Sequence, residues 1–116
     1  MNELEQLQKK LRVFAEERDW DKFHSPKNLV MALSGEVGEL VEHFQWLTEE
    51  QSLHLTEEQK EEVACEAADV FMYLLCFTEK TNINLLEACE KKLAINAQKY
   101  PLRKSYGVAT KYTKFK

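Results

Sequence analysis

An all-α fold of four-helix-bundle type is predicted for this chain by three observations. Apolar residues recur at helical spacing through four long stretches, and capping residues stand at the starts of three of them. Only three Gly and two Pro punctuate 116 residues, too few for a sheet protein built on turns. No stretch left over reads as a strand, and there is neither an internal repeat nor a low-complexity run. The expectation is a single domain over 1–116, with a helical core over about 3–100 and an irregular basic tail over 101–116.

The first predicted helix, about 3–18, carries Leu4, Leu7, Leu11 and Phe14 on one face. The second starts at Ser25-Pro26, an N-cap followed by proline at the first helical position, and is expected to reach about Leu47. Its apolar stripe is Val30, Leu33, Val37, Leu40, Val41 and Phe44. After a loop at about 48–56, the third opens on Thr56-Glu57-Glu58-Gln59, which fits a capping box, and runs to about Glu79. Val63, Ala67, Val70, Phe71 and Leu74 form its inner face. The fourth opens at Asn84 and stops near Tyr100-Pro101, with Leu86, Cys89, Leu93 and Ala97 facing inward.

A content of 44% hydrophobic and 31% charged residues is that of a soluble globular protein. No apolar run approaches the ~20 residues that span a bilayer, and the acidic Met1-Asn2-Glu3-Leu4-Glu5 does not resemble a signal peptide. Cys65, Cys76 and Cys89 are odd in number and lack CxxC spacing, the usage expected of reduced thiols in a cytoplasmic protein. The net charge is −4, yet no acid follows Glu90 while eight of the sixteen Lys and Arg do: Lys91, Lys92, Lys99, Arg103, Lys104, Lys111, Lys114 and Lys116. A basic segment beside an acidic metal site suits a polyanionic substrate. Lys111, Lys114 and Lys116 read more simply as a solvated tail. The acidic balance of the whole argues against nucleic-acid binding, and no membrane role is expected.

The chemistry is carried by two short motifs, Glu36-Val37-Gly38-Glu39 and Glu66-Ala67-Ala68-Asp69. Residues three apart share a helix face, so each motif aims two carboxylates at one spot. Glu36, Glu39, His43 and Trp46 form one stripe, and Glu62, Glu66, Asp69 and Tyr73 another, each beside an apolar stripe. Four carboxylates converging between two helices must either take up protons or hold a cation. Oxygen-only ligands suit a hard ion such as Mg²⁺, with Mn²⁺ as a substitute. Read singly, each Glu-x-x-Glu-like motif is also what a solvated helix face looks like.

Two further clusters stand out. Trp20, Phe23 and His24 lie in a polar connection where they can stack on a base or staple the first helix to the second. Lys92, Asn96 and Lys99 share one face of the fourth helix, positioned for phosphate and sugar or for solvent.

The run RDWDKFHSPKNLVMALSGEVGELVEHFQW (Arg18 to Trp46), followed by EAADVFMYLL (Glu66 to Leu75) and KLAINAQKYP (Lys92 to Pro101), resembles the MazG-like nucleotide pyrophosphohydrolases, most nearly their dCTP pyrophosphatase branch. The resemblance covers the chain up to Pro101. It implies Mg²⁺-dependent cleavage of a (deoxy)nucleoside triphosphate between the α and β phosphates, with dCTP or a modified dCTP as substrate. It also implies an all-α homotetramer. Carried over by motif, Glu36, Glu39, Glu66 and Asp69 are the metal ligands. Trp20, His24, Trp46 and Tyr73 match positions lining a nucleotide pocket, and Lys92 and Asn96 match positions near the phosphates or sugar. Gly35 precedes the first motif where the wider family often has a second acid, as is typical of the dCTP branch. Two departures leave the base preference open: Leu11 stands where the branch can carry His, and His43 stands where leucine is common. A di-metal carboxylate oxidoreductase would need Glu-x-x-His pairs, which neither motif supplies. The other alternative is a non-enzymatic helical oligomerisation or regulatory module with a solvated acidic face.

Overall fold

Asn2 opens the first helix, α1 (Glu3–Glu17), by accepting the Glu5 amide N–H on its side-chain oxygen at 2.8 Å. The bond satisfies one of the donors that a helix start leaves without an intrahelical partner. Closure comes through a left-handed Asp19, φ 54°, with the Trp20 amide donating to the Ala15 carbonyl at 2.9 Å and the Asp19 amide to Glu16 at 3.1 Å. This is a Schellman close, at a residue whose short polar side chain tolerates positive φ. One 3₁₀ turn (Asp21–Phe23) leads to α2 (Pro26–Glu42), where the Ser25 hydroxyl accepts the Asn28 N–H at 3.1 Å.

The computed structural model describes residues 1–115. Lys116, expected in a solvated tail, lies outside the described residues.

α2 ends at Glu42, short of the expected Leu47. Residues 43–47 form successive turns in which the Phe44 amide donates to Val41 and that of Leu47 to Phe44, both at 2.9 Å. No Gly or Pro marks this end, so the helical periodicity reads straight through it. The cause lies downstream, where Thr48 and Gln51 form a reciprocal capping box on a one-turn helix, α3 (Glu49–Ser52). An N-cap needs an extended backbone, so the chain must leave α2 before Thr48. The long α4 (Glu57–Lys80) starts on the expected box, with Thr56 accepting from Gln59 at 3.1 Å and Gln59 accepting from Thr56 at 2.9 Å.

The chain divides into two compact units, the first spanning Met1–Asn82 and the second beginning at Ile83. In the first, α2 lies along α4 and α1 also packs on α4. α2 and α4 run antiparallel, since Glu36 meets Glu66 while the later His43 meets the earlier Glu62. Leu29 of α2 and Leu75 of α4 are fully buried, with Ala15 of α1 and Thr78 beside them in the burial order. Polar groups at this core are satisfied. The Leu75 carbonyl accepts from the Thr78 hydroxyl and from the Gln8 side-chain amide, both at 3.0 Å, which ties α1 to α4.

The second unit holds α5 (Leu85–Lys99), capped by Asn84, whose side-chain oxygen accepts the Glu87 amide at 3.1 Å. It ends before Pro101, as expected for a residue without an N–H. The tail is more ordered than its composition implies. It forms α6 (Leu102–Ser105) and a 3₁₀ turn (Tyr112–Lys114), and the rings of Tyr112 and Phe115 each meet Tyr100 edge-on at 5.9 Å. Among the described residues the structure is all-α, without a strand, and apart from the early end of α2 its four long helices stand where the sequence places them.

Leu75→Ala removes the most enclosed side chain of the α1–α4 contact and is expected to cost about 2–5 kcal/mol in urea unfolding. A loss below about 1 kcal/mol would show that this core closes up around the cavity and is not the anchor described.

Candidate metal centre

Facing α2 and α4 bring three carboxylates together. One oxygen from each of Glu36, Glu39 and Glu66 lies within 4.8 Å of the others. Small residues flank the acids on both helices, Gly35 and Gly38 on α2 and Ala67 and Ala68 on α4. Glu36 Oε2 and Glu66 Oε2 are buried and make no hydrogen bond. An ionised carboxylate left in that state bears the full cost of desolvation. Asp69, half-buried one helical turn beyond Glu66, adds a fourth negative charge, repelling both Glu36 and Glu66.

The electrostatics follow from that packing. Glu36 is pushed up to about 7, first by burial and then by its neighbouring carboxylates Glu39 and Asp69. Glu66 is raised for the same leading reasons, burial and Glu39. Without a cation, Glu36 therefore keeps its proton well above the usual carboxylate range. A divalent ion satisfies the same oxygens without the proton. The donor set is all oxygen and anionic, which fits Mg²⁺ or Mn²⁺ and gives softer metals no thiolate or imidazole in the cluster.

Other sequence-predicted residues distribute as follows. Tyr73, one turn further along α4 than Asp69, is half-buried, and its phenol is raised by burial and by the charges of Glu36 and Asp69. His43 caps α2 with Nδ1 3.9 Å from Glu62 Oε2, at the outer end of the seam. Trp46 lies beyond the helix that was expected to carry it and is 86% exposed. Trp20 stacks edge-on against Phe14 at 5.8 Å, closing α1, while Phe23 is exposed. Lys92 and Asn96 belong to α5 in the second unit, the first exposed and the second partly buried.

His24 lines a cavity of about 330 Å³ in the first unit, with Leu11, Ala15 and Cys76. Two ion pairs bound it. Arg12 Nε donates to Glu79 Oε1 at 2.6 Å, and Lys80 Nζ to Asp21 Oδ1 at 2.5 Å. The Lys80 bond and charge hold the Asp21 carboxyl below its ordinary value. None of Arg12, Asp21, Glu79 and Lys80 stands out in the sequence. Their partners are 67 and 59 residues away, and no local spacing signals such pairs.

Residues 31–115 match the sequence profile of the MazG-like family, and the chain belongs to that family. It is 41% identical over 112 residues to dCTP pyrophosphatase 1 of Rattus norvegicus and 38% identical over the same length to that of Homo sapiens. Each alignment covers 95% of this chain and 66% of the relative, so the chain spans just under two thirds of the length of these curated relatives. A pyrophosphatase from Archaeoglobus fulgidus DSM 4304 superposes with a TM-score of 0.82 at 41% identity, over 87% of this chain and 94% of that one.

The raised carboxyls set a sign for stability. A group that holds its proton more tightly when folded stabilises the fold below the unfolded value, 4.5 for Glu36, and that contribution is lost as pH climbs through about 7. In EDTA, Tm is therefore expected to fall between pH 4.5 and 7.5 by more than in a Glu36→Gln variant. Adding Mg²⁺ or Mn²⁺ should raise Tm at pH 7.5 and have little effect at pH 5. A thermal-shift series in which metal acts equally at both pH values, or in neither, would contradict the site.

Proposed function

We propose that this chain is a nucleoside triphosphate pyrophosphohydrolase. It would cleave a (deoxy)nucleotide, dCTP or a modified dCTP, between the α and β phosphates to give a monophosphate and pyrophosphate. The observation that carries the reading is the seam of Glu36, Glu39 and Glu66, with two buried carboxylate oxygens lacking partners. A merely solvated acidic face, as in a non-enzymatic module, would leave those oxygens in water. The names of the relatives, dCTP pyrophosphatase 1 and an archaeal pyrophosphatase, support the same class.

Glu36, Glu39, Glu66 and Asp69 would hold Mg²⁺, with Mn²⁺ as a substitute. The bound ion would offset negative charge on the phosphate chain as it is attacked. A carboxylate at the rim of the seam, Glu39 being the exposed one, can hold a water by hydrogen bond and accept its proton. Trp20, His24, Trp46 and Tyr73 are assigned to nucleoside positioning, and Lys92 and Asn96 to the phosphates or sugar. Positioning and fixed charge then supply most of the rate. We assign the whole of 1–116 to one catalytic domain acting in the cytoplasm. The chain is also proposed to assemble with further copies of itself, as a homotetramer or dimer. Val30, Met31, Val37 and Val41 on α2 are exposed, Met31 by 64%, which is apolar surface that a partner copy would cover.

The test is pyrophosphate release from a panel of eight ribo- and deoxynucleoside triphosphates, with Mg²⁺ and with EDTA. Metal-dependent pyrophosphate and a monophosphate product are expected, with dCTP or its modified forms fastest. Glu39→Gln and Asp69→Asn should each lower kcat at least about a hundredfold while leaving the circular dichroism spectrum unchanged. Full activity in either variant, or orthophosphate as product, would overturn the assignment.

A further inference from the structure

The Arg12–Glu79 pair is more than a clamp between α1 and α4, because both side chains line the His24 cavity. The bond runs from Nε to Oε1. A guanidinium has five N–H donors and a carboxylate two acceptor oxygens, so donor and acceptor capacity remain side by side at the wall. Glu79 lies ten residues beyond Asp69 on α4, about 15 Å of helix rise. Tyr73 lies between the two along the same helix. At about 330 Å³ the cavity is at the small end of ligand pockets, which run to roughly 300–1,000 Å³, and it suits one ring system.

Resting on the nucleotide reading above, we propose that Glu79, oriented by Arg12, is the specificity-determining residue for the base and selects one that bears an exocyclic amino group. A carboxylate only accepts, and in base recognition Asp and Glu accept from the cytosine N4 amino group. Beside that amino group cytosine presents N3, an acceptor that the Arg12 guanidinium can meet, so carboxylate and guanidinium face a matching donor and acceptor. With Glu79 over the position-4 substituent and Arg12 over N3, a uracil in the same register would set its O4 carbonyl against the carboxylate and its N3–H against the guanidinium, so both contacts would be mismatched. The other pair is less suited to this role: the Asp21 side chain is 56% exposed against 30% for Glu79. Its bond to Lys80 anchors the turn that carries His24.

The experiment compares kcat/KM for dCTP and dUTP in the wild type, Glu79→Gln and Arg12→Lys, with Tm measured for each. The wild type should prefer the amino base at least about tenfold, the discrimination a well-placed side-chain contact gives. Glu79→Gln, whose amide both donates and accepts, should bring the ratio to within about threefold of unity while dUTP turnover rises. Arg12→Lys keeps the ion pair but removes the fork, so Tm should hold while the ratio narrows. Equal ratios in all three proteins, with Tm lowered in the variants, would mean that the pair is a structural clamp and would overturn this inference alone. A wild type that turns over no triphosphate would overturn the nucleotide reading and this inference together.

Discussion

Carboxylates forced together at a half-buried seam are the constraint on which the rest of the first unit depends. Glu36, Glu39 and Glu66 converge with Asp69 behind them because α2 and α4 pack along each other over this stretch. Helix packing fixes the spacing. Like charges at such distances cannot all stay ionised without compensation. Either protons or a dication must occupy the seam, and the choice sets both its stability and its chemistry. Burial and the neighbouring carboxylates raise Glu36 and Glu66 together.

The remaining elements hold that seam and extend it. α1 is tied to the C-terminal half of α4 by the Gln8 amide, the buried Ala15 and the Arg12–Glu79 bond. The 3₁₀ turn that follows is tied to the same helix by Asp21–Lys80. α4 thus contributes Glu66 and Asp69 to the acid cluster near its middle and Cys76, Glu79 and Lys80 to the cavity wall near its C-terminal end, with Tyr73 between. The proposed substrate, with phosphates at one end and a ring at the other, would follow that linear order. These ion pairs are partly solvated, so their contribution lies in geometry more than in stability.

Much of this was legible in the sequence, for identifiable reasons. Thr56-x-x-Gln59, Ser25-Pro26 and Tyr100-Pro101 are local signals, and each sits at the helix boundary it marks. The acid motifs were legible because helical spacing alone puts Glu36 with Glu39 and Glu66 with Asp69. That the two pairs face each other needed the second helix to be antiparallel and in register, which the structure supplies. The end of α2 was not legible. It is imposed by the Thr48–Gln51 box six residues on, so Trp46 leaves the stripe it was assigned to. The order in the tail was hidden for a similar reason, since Tyr100, Tyr112 and Phe115 meet only after folding. Cavity walls built from pairs 59 and 67 residues apart leave no periodic trace at all.

The measurement that tests the central claim most directly is calorimetric titration of Mg²⁺ at pH 7.5 into the wild type and into a Glu36→Gln/Glu66→Gln double variant. Saturable binding in the wild type, weakened at least about tenfold in the variant, is the predicted result. The variant, relieved of two buried charges, should also be the more stable protein in EDTA. Equal Mg²⁺ binding by the two proteins, or none by either, would contradict the account, because the seam would then be neutralised by protons alone.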